Sequence, residues 1–352
     1  MKRFQGYIIL QALLMILFAG CREVNIETVL QRDGSIIRTI ETQGGKTSEL
    51  FELGLPVDST WNLSERTEIS EDDTLHYQVA TRKFESLKEM NQVFGCDSDS
   101  LTRLRFCAAL EQDFRWFHSF WTYTETYQPY FPYQKISAEE FLTPNELQVY
   151  ANADSTPEPV DSRVERFFEK AMFSEMYQPI LDTLRSMDKP VIAIDSLMYY
   201  RDSLEISIFN LESESDSAII QDIMATMSDI LADTDIYRFE SLITRQYNQI
   251  LNKEGFLFSV PEEWKHKIQM PGVIITTSAD SLINPSAAYW QFESRKFQFT
   301  EHSMTVTSRV MNVWAILVTA IVVIMLILGI VYSYFRKPDV SVSGEGPVNM
   351  TE

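Results

Sequence analysis

VWAILVTAIVVIMLILGIVY, Val313 to Tyr332, is a run of twenty residues without a charge, and its reading places everything before it relative to a membrane. At about 1.5 Å of rise per residue the run matches a hydrocarbon core of roughly 30 Å, which predicts a membrane-spanning helix. Arg336 and Lys337 follow at once, and Trp314, Tyr332 and Tyr334 stand where amphipathic rings favour the lipid–water interface. Basic residues are retained on the cytoplasmic side. Residues 333–352 are therefore expected to be a short cytoplasmic tail, with the bulk of the chain facing away from the cytosol.

The other end agrees. Residues 1–20 hold Lys2 and Arg3, an apolar stretch from Tyr7 to Phe18, and the small Ala19 and Gly20 before Cys21, the layout of a secretory signal peptide. Leu17-Phe18-Ala19-Gly20-Cys21 resembles a bacterial lipobox, which implies that Cys21 receives a diacylglycerol and becomes the mature N-terminus. The other reading is an uncleaved signal anchor with an unmodified Cys21. Either leaves Glu23 to Met311 on the same side of the same membrane.

Net charge is −20, with 50 acidic against 30 basic residues. Nucleic acid and anionic lipid headgroups are poor partners for so acidic a surface. Nearly three hundred residues rich in Phe, Tyr, Ile, Leu and Met can bury a large core. Besides Cys21 there are only Cys96 and Cys107. They can close a disulfide in an oxidising compartment or remain buried thiols.

From Cys21 to Gln134 the chain is β-rich. Val24 to Leu30 alternates, Arg32-Asp33-Gly34 marks a turn and Ser35 to Glu41 alternates again, which predicts a hairpin. Gly44-Gly45-Lys46-Thr47 lacks the leading glycine of a phosphate loop, since position 40 is Ile40, and reads as a flexible turn. Asp58 to Asp73 is a polar stretch, His76 to Arg82 a strand, and Lys83 to Phe94 a helix closed by Gly95. FRWFHSFWTYTETYQPYFPYQ, Phe114 to Gln134, is the densest aromatic segment. Over Arg115 to Tyr127 aromatics fall on both faces, so it is expected to be one central strand covered on both sides. Phe117, Trp121 and Tyr123 share a face and line either a ligand pocket or plain core.

No glycine occurs between Gly95 and Gly255, and residues 135–255 are dominated by helical periodicity. Val160 to Met176 is expected to be a helix that Pro179 ends or kinks. Asp216 or Ser217 caps a second over Ile219 to Leu231, and Asp233 to Asp235 opens a third that Gly255 stops. Ala151 to Pro159 reads as a linker. Val191 to Phe209 is compatible with strand or helix. Residues 256–311 return to strands at Val273–Thr277, Ala287–Glu293 and Met304–Val310. Both ends lie close to one bilayer, so the economical fold is α+β: an antiparallel sheet built from N-terminal and C-terminal strands, a large helical insert, and one C-terminal transmembrane helix.

Catalytic patterns are not found. His76, His118, His266 and His302 show no metal spacing, and nucleophile elbow and zinc helix are both missing. Asp97-Ser98-Asp99 and Glu212 to Asp216 read as solvated surface rather than calcium loops. Neither cofactor nor metal is expected.

The lipobox, the early hairpin with Asp33-Gly34, the late Pro271-Gly272-Val273-Ile274 strand, the Trp290 strand and the terminal membrane helix together resemble LppM-like membrane-anchored lipoproteins. That resemblance implies a ligand- or lipid-binding α+β domain. Asp followed by Ser or Thr and a small or aliphatic residue occurs nine times, putting Ser59, Thr74, Ser100, Ser155, Thr183, Ser196, Ser203, Ser217 and Ser281 in a context similar to the O-glycosylation sites of Bacteroidota envelope proteins. Such pairs also serve as helix caps and turns. The expected function is that of a non-catalytic lipoprotein anchored in a bacterial inner membrane, with its domain periplasmic and a protein partner in the envelope. The alternative is a carrier or sensor of an apolar, lipid-like ligand.

Overall fold

Alternation in Val24-Asn25-Ile26-Glu27-Thr28 and Ile36-Ile37-Arg38-Thr39-Ile40 gives two strands, β1 (Glu23–Leu30) and β2 (Ile36–Gln43), paired antiparallel with Val29 opposite Ile37. Gly34 turns between them at φ +87°, which glycine adopts without steric cost. The computed structural model describes residues 23–43, 54–69, 74–98, 103–152, 156–211 and 216–335. The signal segment, Cys21, Gly44 to Thr47, Ser100, Ser155 and the tail after Phe335 lie outside the described residues.

β2 pairs with β4 (Thr74–Phe84), and β4 with β3 (Asn62–Ile69). On its other side β1 runs parallel to β7 (Glu263–Gln269), which leads to β10 (Ala287–Glu293) and β9 (Ser281–Asn284). The seven-stranded order is β3-β4-β2-β1-β7-β10-β9. β5 (Phe106–Arg115), β6 (His118–Tyr127), β11 (His302–Met311) and β8 (Val273–Thr277) form a second sheet in that order.

The expected α+β class holds, with antiparallel pairing in both sheets except at β1–β7. The single sheet expected from the chain ends is corrected to two. Each is apolar on one face only, so they bury those faces against each other. Ile26, Ile40, Phe84, Trp264 and Phe292 come from one sheet and Phe106, Tyr127, Met304 and Val306 from the other. The hairpin that opens the chain does pair with a late strand, β7.

Between the halves lies the helical insert: α2 (Ala138–Phe141), α3 (Pro144–Asn152), α4 (Glu158–Arg185), α5 (Ile194–Tyr199), α6 (Arg201–Phe209), α7 (Asp216–Leu231) and α8 (Glu240–Ser259); α1 (Leu87–Val93) precedes it beside the sheets. The insert has its own core, with Phe131, Phe167, Ile180, Leu204, Met224 and Ile243 buried together. Glu175 on α4 accepts the backbone N–H of Gln134, in the segment that leads into the insert, and within the insert the ammonium of Lys253 on α8.

Several local expectations change. β3 runs through the stretch read as polar; every residue of it is exposed, and at this sheet edge it is held by its backbone pairing and by polar side chains, Arg66 pairing with Glu41 of β2 and lying over the Tyr77 ring of β4. The helix expected from Lys83 begins at Leu87, after Ser86 accepts the N–H of Glu89 as its cap. Val191–Phe209 resolves as α5 and α6. α4 continues through Pro179 because Ile180, Leu181 and Leu184 beyond it are buried. α8 continues past Gly255 because Phe256 packs into the sandwich core.

The aromatic segment is two strands. β5 and β6 pair with Arg115 opposite His118, leaving Trp116-Phe117 as a two-residue turn. Only the inner face of β6 is packed against core. Its outer face forms hydroxyl pairs with β11: Thr122–Thr307 (3.0 Å), Thr124–Thr305 (3.2 Å) and Thr126–Ser303 (2.8 Å). One residue after β11, α9 (Val313–Phe335) begins. Among the described residues it is the one helix long and apolar enough to cross a membrane, and its side chains are almost all exposed.

Candidate functional site

The densest group of titratable side chains lies between the two sheets. β2 turns Arg38 inward between Ile36 and Ile40, and β6 turns Glu125 inward between Tyr123 and Tyr127, all fully or nearly fully buried. Arg38 donates to both oxygens of Glu125 at 2.8 and 2.7 Å, and the Tyr123 hydroxyl donates to Glu125 Oε2 at 2.7 Å. The guanidinium also lies over the rings of Phe94 and Phe106. His266 on β7 meets the Tyr127 hydroxyl at Nδ1 (3.0 Å) and the Thr28 hydroxyl at Nε2 (3.1 Å).

Burial alone would raise the Glu125 carboxyl, but the Arg38 charge, His266 and the hydrogen bonds from Arg38 and Tyr123 outweigh it and hold the group at about 2. Burial pushes His266 down to about 3, so the ring is neutral. Burial, with the Glu125 charge, raises the Tyr123 phenol. An ionised pair, a neutral ring and protonated phenols all enclosed by apolar side chains make a cross-link between sheets, with no solvent-facing group to act on a substrate. Sequence reasoning missed it. The signal was available as one inward-register arginine and one inward-register glutamate on separate strands.

The structure separates the three residues grouped on the aromatic face. Trp121 and Tyr123 are buried in the sandwich core, whereas Phe117 sits on the β5–β6 turn, 45% exposed. Beside it, Phe114 and Trp116 pack on α9. The rings of Phe114 and Trp314 stack at 6.1 Å, Trp116 meets Trp314 edge-on at 5.5 Å, and Trp116 Nε1 donates to Thr319 Oγ1 at 2.9 Å. Thr319 in turn donates to the Ala315 carbonyl. Asn312, between β11 and α9, fastens the turn. Its Nδ2 donates to the carbonyls of Arg115 (2.8 Å) and Trp116 (3.4 Å), its backbone N–H to that of Phe117 (2.9 Å), and its Oδ1 accepts from Ser119.

A second exposed group lies on the insert. α5 and α6 meet at Tyr199-Tyr200, and Met198, Tyr199, Tyr200 and Ile206 are exposed together, Tyr199 at 81%. Beneath them the corner is fixed. Leu197 and Leu204 are fully buried, the Tyr177 hydroxyl donates to the Leu197 carbonyl, and buried Glu205 is ion-paired with Arg166 (2.6 Å) and Lys170 (3.6 Å) of α4. An open polar cleft of about 910 Å³ also runs between the end of α3 and β10, bordered by Glu263, Asp280, Tyr289, Arg295 and Lys296.

Cys96 and Cys107 form a disulfide that ties the end of α1 to the start of β5. Of the residues in the Asp-Ser/Thr context, Ser59, Ser203 and Ser281 are exposed, while Thr183 and Ser196 are half-buried. Asp58 closes a turn by accepting from the N–H and hydroxyl of Thr60, and the Thr183 hydroxyl donates to the Pro179 carbonyl within α4. The side chains of Thr74 and Ser217 lie outside the described residues.

No family model matches the chain, and no curated protein matches it. Among solved structures it is similar to the folded domain of LppM from Mycobacterium tuberculosis, determined by NMR, with 8% identity over 83% of this chain and 91% of that one and a TM-score of 0.26. At that score the likeness carries no argument about this chain.

Proposed function

We propose that this chain is a non-catalytic envelope lipoprotein, anchored in an inner membrane with its domain in the periplasm, that engages a protein partner through the helical insert. The observation that carries the reading is the Met198, Tyr199, Tyr200 and Ile206 patch. Aromatic and methionine side chains are enriched in protein interfaces, and several exposed ones on two adjoining helices are costly unless something covers them. The acidic surface favours a partner with basic residues around its own apolar centre. Non-catalytic action is supported by the enclosure of the Arg38, Glu125 and His266 network, which leaves its acid and base groups without access to substrate.

The test is a photo-crosslinking amino acid placed at Tyr199 of the full chain in intact cells, with Glu111 on the outer face of β5 as the comparison position. A discrete protein adduct at Tyr199, absent at Glu111 and lost with Ile206→Asp, is the expected result. Adducts to lipid alone at Tyr199 would refute the partner reading in favour of an apolar-ligand carrier.

A further inference from the structure

We infer that the β5–β6 turn is a second membrane anchor: Phe114, Trp116 and Phe117 enter the leaflet that the domain faces, beside the spanning helix, and seat the domain on the lipid. The inference rests on α9 being the transmembrane span. Its first support is depth. Trp116 is bonded to Thr319, six residues after Val313, so its indole reaches about 9 Å along the helix. For that contact to stay outside the hydrocarbon, the span would have to be made by Ala320 to Phe335, which is about 24 Å of helix against a core of roughly 30 Å. The helix is too short to lift the turn clear of the membrane.

The second support is polar accounting. Irregular backbone is tolerated at membrane depth only where its N–H and C=O groups find partners within the protein. Here the carbonyls of Arg115, Trp116 and Phe117 are all taken by Asn312. The indole N–H of Trp116, the polar atom on its ring, is taken by a Thr319 hydroxyl that itself donates inside the helix. A turn in water has no need of this. What remains facing outward is ring surface, with Phe114 56%, Trp116 48% and Phe117 45% exposed. At the base of the turn Arg115 and Arg309 are exposed. Arg115 is paired with Asp113 at 3.2 Å, so Arg309 and three rings give the acidic molecule one face compatible with lipid.

The test uses the full chain in a Cys21→Ser background, reconstituted in phosphatidylcholine vesicles, with a nitroxide attached at Phe117→Cys, Glu111→Cys or Leu326→Cys. Collisions with oxygen should exceed those with a water-soluble nickel complex at Phe117 and Leu326, and the reverse should hold at Glu111. Water-like behaviour at Phe117 with lipid-like behaviour at Leu326 would overturn the second anchor and leave the spanning helix standing. Water-like behaviour at Leu326 would remove the span and the anchor together. An independent measurement needs no label. Lipids brominated near the headgroup end of their chains should quench both Trp116 and Trp314, so Trp116→Phe should remove one of two quenched indoles. An unchanged quenched fraction would overturn the proposal.

Discussion

Arg38 and Glu125 stabilise one another only as a pair. Glu125→Gln strands a buried guanidinium and is expected to cost about 3–5 kcal/mol, seen as a large fall in thermal midpoint in detergent. Arg38→Met with Glu125→Leu removes both charges and should recover most of that loss; a double variant as unstable as the single would show that the pair does more than satisfy itself. The same site sets an acid response. In the fold His266 is held neutral, down to about 3 against an ordinary 6.5, so between those values the unfolded chain binds the extra proton and stability present above pH 6.5 is lost as pH falls. His302, half-buried and pushed down to about 4 by burial and by Lys296, adds to the same loss from 6.5 to 4. Glu125 contributes stability present above an ordinary 4.5 and lost as pH falls through about 2. Each proton is worth about 1.4 kcal/mol per pH unit. Denaturation midpoints should therefore decline below pH 6.5 and more steeply below 4.5, and His266→Gln should flatten the upper part. The side-chain identities behind this were legible, but their meeting was not. Alternation assigns Arg38 and Glu125 to inner faces, whereas which inner faces oppose each other is decided by the pairing of distant strands.

At the scale of elements, hairpins and helices with their own punctuation were readable, and those held by remote partners were not. Asp33-Gly34 announced its turn. Trp116-Phe117 did not, because two-residue turns usually depend on residues that take positive φ, and here neither does. Asn312, almost two hundred residues later, supplies the geometry instead. Asn312→Ala should accordingly loosen the turn from α9, raising amide exchange at Ser119 and in the first turn of the helix while leaving β1–β2 protected. Gly272 is a readable turn whose importance comes from elsewhere. Its φ is +88°, and a Cβ would stand 2.3 Å from the Arg309 carbonyl, so Gly272→Ala is expected to destabilise by at least about 1–3 kcal/mol and to unpair β8 from β11, visible as lost protection at Ile274. The short disulfide loop should contribute about 2–3 kcal/mol, so Cys96→Ser with Cys107→Ser lowers the midpoint without abolishing the fold. β3, polar and wholly exposed, had no apolar period to reveal it.

For the whole molecule, composition and alternation conveyed class, the C-terminal apolar run conveyed a helix long and apolar enough to cross a membrane, and the glycine-free span conveyed a helical insert. What they could not convey was that the strands divide between two sheets. That division follows from long-range pairing, above all from β1 lying parallel to β7. A tag after Glu352 should resist protease added to right-side-out spheroplasts while the segment from Glu23 to Met311 is attacked or shielded by its own fold; loss of the tag with an intact body would reverse the orientation.

The β1–β7 pairing also bears on timing. Val24 to Leu30 sits at the middle of the larger sheet, yet its parallel neighbour lies some 240 residues downstream. Under the proposed topology, a chain threaded through a translocase N-terminus first must hold that strand with one side vacant until Glu263 to Gln269 has emerged. Completion of the sheet would then be deferred to the last stage of export, when the proposed span is already entering the pore.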